Sequence, residues 1–339
     1  MGISDYPGKQ SEKEVSKNFR VVPYYLQEYR YHPQKAINKN NVTGGRSSSS
    51  GGRLKSRFAT IICAIFLTGC ISQMSQSIHE APSATKAPSM SIPDYASETI
   101  DKDMVIREIQ PGFHVVTHSF PWPHNSLLVE MQNSDILLVD TPYTPEATRE
   151  LLKWENAKFG ARNIIAINTG YHYDNLGGNG ALIAAGIGVY GSDAIPVLLS
   201  QRGEALRALT LSWLADPKYS EYYKAHKDLQ YVPPNTLYHL QDGLTLNFGN
   251  ERVTVYYPGP THTRENVVVY FKERSILFGG CMILAGDSVG NTADADMQEW
   301  PKSIEKLRQF KIDLLIPGHG DRMDAQLIDH TLDILAKAK

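Results

Sequence analysis

Cysteine is scarce in this chain, with three among 339 residues. Cys63 and Cys70 stand in an apolar stretch near the N-terminus, which leaves Cys281 alone in the rest. A disulfide framework is therefore excluded. A surplus of charge is missing too: 34 Lys and Arg face 36 Asp and Glu, a formal net charge of −2. That balance offers no basic field to a phosphate backbone, and no nucleic acid is expected as a partner. Nor is the apolar stretch in "LKSRFATIICAIFLTGC" (residues 54–70) long enough to span a membrane. It holds about a dozen apolar residues, where a bilayer needs roughly 20.

What is present divides the chain into unequal parts. Residues 1–53 are polar and basic, with "RSSSSGGR" near their end, and no packed structure is expected there. Residues 54–70 have a basic start, Lys55 and Arg57, and then a short apolar core, the form of a secretory signal. Its end, "LTGC", resembles a bacterial lipobox, which implies cleavage before Cys70 and a lipid on that cysteine; the alternative is an ordinary signal with an incidental cysteine. The leader before it is unusually long, so translation is expected to start near Leu54. Residues 71–100, rich in Ser, Pro, Ala and Gln, read as a flexible tether, and residues 101–339 as the folded domain. The expected location is the periplasm. The expected membrane contact is through the lipid alone, and the expected state is a monomer.

The folded part alternates in kind. "FHVVTH", "SLLVEM" and "DILLVD" read as strands joined by turns. A helix follows, with Thr144 as N-cap, Pro145 at its first position and Gly160 at its end. "NIIAINT" is a buried strand, and "GALIAAGIGVYGSD" gives a short helix and another strand. Strands return in "TLYHL", "LTLNFG", "RVTVYYPG", "NVVVYF" and "SILFGG". The chain closes with a helix at "EWPKSIEKLRQF", a strand at "DLLIPG" and an amphipathic helix at "DAQLIDHTLDILAKA". This is an α/β pattern with many hairpins, and two packed sheets with helices outside would fit it.

Four of the strand ends run into a glycine- or proline-rich loop that carries a metal-ligand type. They give His172 and Asp174 in "GYHYD", His262 in "PGPTHT", Cys281 in "FGGC" and His319 in "IPGHG". Imidazole, carboxylate and thiolate suit zinc. Taken singly, each histidine reads as a surface or satisfied core residue and Cys281 as a small buried side chain. The fourfold recurrence of strand, glycine and ligand is what points to one metal site.

The ordered set His-x-Asp, His, Cys, His in "INTGYHYDNLGGN", "GPTHTREN", "LFGGCMI" and "IPGHG" resembles the class B metallo-β-lactamases over roughly residues 104–336. "GGC" separates it from relatives with aspartate in that loop, such as glyoxalase II, which also carry histidine where this chain has Asn175. The resemblance implies an αββα sandwich. It implies one Zn²⁺ held by Asp174, Cys281 and His319, with a coordination position open. For a second Zn²⁺ it supplies only His172 and His262, because the third histidine falls on Gly170. One firmly bound zinc is therefore expected and a second is uncertain. His118 or His124, on the first hairpin, would be the donors able to make up the loss.

The implied activity is zinc-dependent hydrolysis of a small-molecule β-lactam, which would confer antibiotic resistance. Asp174, His172 and His262 would handle the attacking water, and the Asn291 amide the lactam carbonyl. Trp122, in the flap-like "SFPWPHN", would cover apolar substrate groups. Many members have lysine three places after the cysteine, where this chain has Leu284. Two other readings stay open: hydrolysis of another amide or ester, and a zinc-binding lipoprotein with an eroded site.

Overall fold

A computed structural model describes residues 95–338. The expectations for residues 1–53, for the signal at 54–70 and for lipid attachment at Cys70 lie outside these residues. Among the described residues no helix is long and apolar enough to cross a membrane.

Two sheets lie at the centre. The first has eight strands in sequence order: β1 (Ser97–Asp101), β2 (Met104–Gln110), β3 (Phe113–Ser119), β4 (Pro123–Glu130), β5 (Ile136–Val139), β6 (Ile164–Ile167), β7 (Gly188–Ser192) and β8 (Thr236–Tyr238). It is antiparallel from β1 to β5 and parallel from β5 to β8. The second has five strands in the order β13-β12-β11-β10-β9. Their spans are β9 (Leu244–Phe248), β10 (Glu251–Tyr256), β11 (Val268–Phe271), β12 (Ile276–Leu284) and β13 (Leu314–His319). β12 and β13 run parallel, the other pairs antiparallel.

The two-residue period of a strand builds the layers. Val267, Val269 and Phe271 face inward with Val253, Phe278 and Ile316, and meet Phe113, Val115, Leu127, Val129 and Leu137 of the first sheet. Val268 and Tyr270 point the other way, with Leu277 and Leu315, onto Trp300 and Ile304 of α6 (Trp300–Glu305) and Leu327, Ile328 and Leu335 of α7 (Leu327–Lys337). On the far side Met104, Ile106, Val116, Leu128 and Leu138 pack against α1 (Pro145–Phe159) and α3 (Asn179–Ala184). The architecture is helix, sheet, sheet, helix, as expected.

Thr144 accepts a hydrogen bond from Ala147 N, Pro145 opens α1, and Gly160 ends it at φ 75°. Several elements were not expected, β2 among them. β1 begins inside the stretch read as tether, and a long α4 (Ala194–Trp213) and a shorter α5 (Ser220–Asp228) fill the connection between β7 and β8.

Candidate metal centre

The site lies where β6, β12 and β13 end. α2 (Tyr173–Leu176) starts directly after His172, so His172 precedes the turn and Asp174 falls inside it. Cys281 and His319 are brought side by side by two glycines. Gly280 has φ +53°, and a Cβ on Gly318 would lie 2.7 Å from the Gly280 carbonyl carbon and 2.9 Å from Cys281 N. Only a residue without a side chain lets β13 pass so close to β12.

Three expected ligands converge. His319 Nε2 is 3.2 Å from Asp174 Oδ2. Cys281 Sγ is 3.8 Å from Asp174 Oδ2 and 3.7 Å from His319 Nε2. Zinc bond lengths of about 2.0–2.1 Å to N or O and 2.3 Å to S make tetrahedron edges of ~3.3 Å and ~3.6 Å. The three observed separations fall within about 0.2 Å of those edges, so the donor set fits a zinc ion. Asp174 Oδ1 is buried and has no hydrogen-bond partner among the described residues, a position that a bound cation would satisfy.

A fourth donor, expected only as a substitute at the second ion, joins them here instead. His124 contributes a ring nitrogen to a group with Asp174, Cys281 and His319, all four ligand atoms lying within 4.8 Å of one another. The other candidate does not take part: His118 Nδ1 accepts from Tyr143 N at 3.0 Å, and its ring stacks on Phe120.

Electrostatics follow from burial. Burial alone would raise the Asp174 pKa, but the His319 hydrogen bond and the nearby His124, His319 and His172 rings hold it well below the usual carboxylate range. Burial, then the charges of Asp174 and Asp140, push the Cys281 thiol far up. A metal binding here would release that proton. Burial lowers His124 to about 3, which keeps its imidazole neutral and its lone pair available. The His319 pKa is raised: burial works against this, but the hydrogen bond to Asp174 outweighs it.

His172 and His262 form a separate pair, their rings 5.2 Å apart and nearly perpendicular. His172 Nε2 donates to Asp294 Oδ2 at 3.1 Å. Asp294 also accepts from the Tyr171 hydroxyl and pairs with Arg202 of α4. His262 Nδ1 is buried and has no hydrogen-bond partner among the described residues. The missing-histidine position is filled: a Cβ on Gly170 would stand 2.5 Å from Asn266 Nδ2 and 3.0 Å from Asn175 Oδ1.

His172, Asp174, His262, Cys281 and His319 line one cavity of about 680 Å³. Leu206 and Trp213 of α4 form one wall, and Leu284, Val289 and Asn291 stand on another. Trp122 lines it and meets Trp213 edge-on at 6.0 Å. Asn291 Oδ1 accepts from Ala293 N, so its amide NH₂ is the group left to face the cavity. No Lys or Arg is among the lining residues. Asp294 and the α4 wall were missed from the sequence, and His124, expected only as a substitute donor for the second ion, joins the Asp174, Cys281 and His319 group instead. The only available hint for His124 was its place in the flap-like hairpin.

Residues 119–319 match the family model described as the metallo-beta-lactamase superfamily. A metallo-beta-lactamase type 2 from Bacillus sp. (strain 170) is 34% identical over 217 residues, 63% of this chain and 73% of that protein. One from Pseudomonas aeruginosa is 30% identical over 250 residues, 72% of this chain and 86% of that protein. The solved metallo-beta-lactamase from Pontibacter korlensis superposes with a TM-score of 0.54 at 28% identity, over 71% of this chain and 99% of that one. The matched span takes in β4, β6, β12 and β13 with every residue of the converging set. The chain belongs to the metallo-beta-lactamase superfamily of hydrolases, and within it resembles the class B β-lactamases.

Proposed function

We propose that the protein is a zinc-dependent β-lactamase that opens the cyclic amide of a penicillin, cephalosporin or carbapenem. The observation that carries this reading is the Asp174, Cys281 and His319 triangle, with its zinc-sized edges, at the floor of a ligand-sized cavity. Zinc held there would supply Lewis-acid polarisation and would bring the pKa of a bound water to about 7.

The chain's own groups supply the rest. Asp294 holds His172 through Nε2, which fixes the ring and leaves Nδ1 to take a proton from attacking water. Tyr171 and Arg202 hold Asp294 in turn. His262, packed edge-on against His172, bounds the place for that water. The Asn291 amide can donate to the lactam oxygen as it gains charge. Trp122 and Trp213 cover the apolar parts of the substrate and exclude bulk water.

One observation favours a second substrate class. With Leu284 in place of a cation and no Lys or Arg lining the cavity, a substrate carboxylate finds no partner, which suits an uncharged ester or amide. Absorbance assays on the full chain with a penicillin, a carbapenem and a neutral ester decide between them. Lactam turnover that a chelator abolishes and zinc restores supports the first reading; turnover of the ester alone replaces it. Export and lipid attachment at Cys70 belong to the same proposal. A mature N-terminus other than Cys70 would remove the lipid anchor.

A further inference from the structure

His124 is buried, 1% exposed, and neither ring nitrogen has a hydrogen-bond partner among the described residues. A phenyl ring would fill the same space without stranding two polar atoms, so packing does not explain an imidazole there. Its ring lies 5.0 Å from that of His319 and one nitrogen joins the group with Asp174, Cys281 and His319.

The placement is built. Asn125 Nδ2 donates to Pro317 O at 3.1 Å and to Gly320 O at 2.8 Å, which clamps the start of β4 on the end of β13. Pro123 O accepts from His319 Nδ1 at 2.8 Å, which fixes that ring with Nε2 toward Asp174 and Cys281. Three consecutive residues, 123–125, thus orient one ligand, offer another and lock both to the loop that carries the site. Supporting bonds of this kind hold metal-binding rings in place.

We infer that His124 is a fourth protein ligand, so that the Asp174, Cys281 and His319 metal is held in a closed His₂-Asp-Cys set. This rests on the reading that these residues bind a metal, but not on lactam hydrolysis. Four protein ligands fill the tetrahedral positions, so the water or substrate oxygen of the proposed reaction would have to enter as a fifth ligand. The four atoms lie within 4.8 Å of one another, so a separation at that limit must shrink by about 1.2–1.5 Å to reach tetrahedral edges. The imidazole missing at Gly170 is thereby replaced at a different ion position. His172 and His262 are left to act on water and substrate without a second metal.

Metal binding to the full chain tests this. The apo protein is titrated with Zn²⁺ against a chromogenic chelator, and the Co²⁺ form is read by its visible spectrum. Wild type should bind one ion, with strong four-coordinate cobalt bands and a charge-transfer band from the Cys281 thiolate. His124→Phe, which keeps the packing, should weaken binding ~100-fold or more and dim the cobalt bands while keeping the charge-transfer band. His172→Ala and His262→Ala should leave stoichiometry and affinity unchanged. X-ray absorption on wild-type zinc protein, which needs no variant to fold, should count two imidazoles and one sulfur. Wild type with one ion, one imidazole and an unchanged affinity in His124→Phe overturns the fourth ligand alone. Loss of one of two ions on replacing His172 or His262 overturns it as well. Wild type that binds no ion overturns this inference together with the metal reading beneath it.

Discussion

Restoring histidine at position 170 should damage the protein rather than complete a second metal site. The first side-chain atom alone would stand 2.5 Å from Asn266 Nδ2 and 3.0 Å from Asn175 Oδ1. Neither neighbour is a free-swinging chain end. Asn266 is buried; its Oδ1 accepts from Thr263 N at 2.8 Å and its Nδ2 donates to Thr169 O at 3.3 Å. Asn175 Nδ2 donates to Asp140 Oδ2 at 3.0 Å. Pushing Asn266 aside strands buried partners, at about 1–3 kcal/mol, and overpacking adds about 1–3 kcal/mol. Gly170→His is thus expected to lose roughly 3 kcal/mol, a fall in Tm of about 6–12 °C at this domain size. Gly170→Ala should show part of the loss. In an Asn266→Ala background, Gly170→Ala should cost far less, because the clash has gone. Thermal unfolding of the four apo proteins gives the cycle. A Gly170→His protein with unchanged Tm and a gain in bound zinc would refute the reasoning.

Other expectations concern charge and buried polar groups. Burial lowers the His118 pKa to about 4, against 6.5 in the unfolded chain. The unfolded state then binds the extra proton below pH 6.5, and stability falls as pH drops toward 4, by about 2 kcal/mol at pH 5. His118→Asn keeps an acceptor for Tyr143 N and should flatten the slope of apo stability between pH 6.5 and 4.5 by one proton; an unchanged slope would assign it elsewhere. Asp140→Ala removes the acceptor of Thr169 N, Thr169 Oγ1 and Asn175 Nδ2, all buried, and should cost ~3 kcal/mol or more in denaturant unfolding. Leu284→Lys places a cation on the cavity wall. It should lower KM for a carboxylate-bearing lactam about tenfold, the worth of ~1.4 kcal/mol, without the same gain for a neutral ester.

The sequence was most informative where the signal is local. Thr144, Pro145 and Gly160 mark α1 because capping is decided within a turn or two. The inward run of β11 and the four ligand loops follow from strand period and glycine placement. His124 was named from its hairpin but for the wrong ion: it stands 50 residues before Asp174 and 157 before Cys281, and contacts such as the Asn125 clamp on the β13 end place it beside them. α4 hid for another reason. Its buried contacts are Ile195, Gly203, Leu206 and Thr210, while Val197 is exposed and Trp213 faces the cavity, so no clean apolar stripe runs along it. β2 alternates through Met104 and Ile106, then breaks register near Glu108 and Gln110, which blurs its pattern.

A metal count on the purified full chain, compared with Cys281→Ser and Asp174→Ala, asks whether three distant side chains hold one ion. One zinc per wild-type chain, lost from both variants, is the expected result. Wild-type protein that stays metal-free in excess zinc, or variants that keep the ion at full strength, would contradict it.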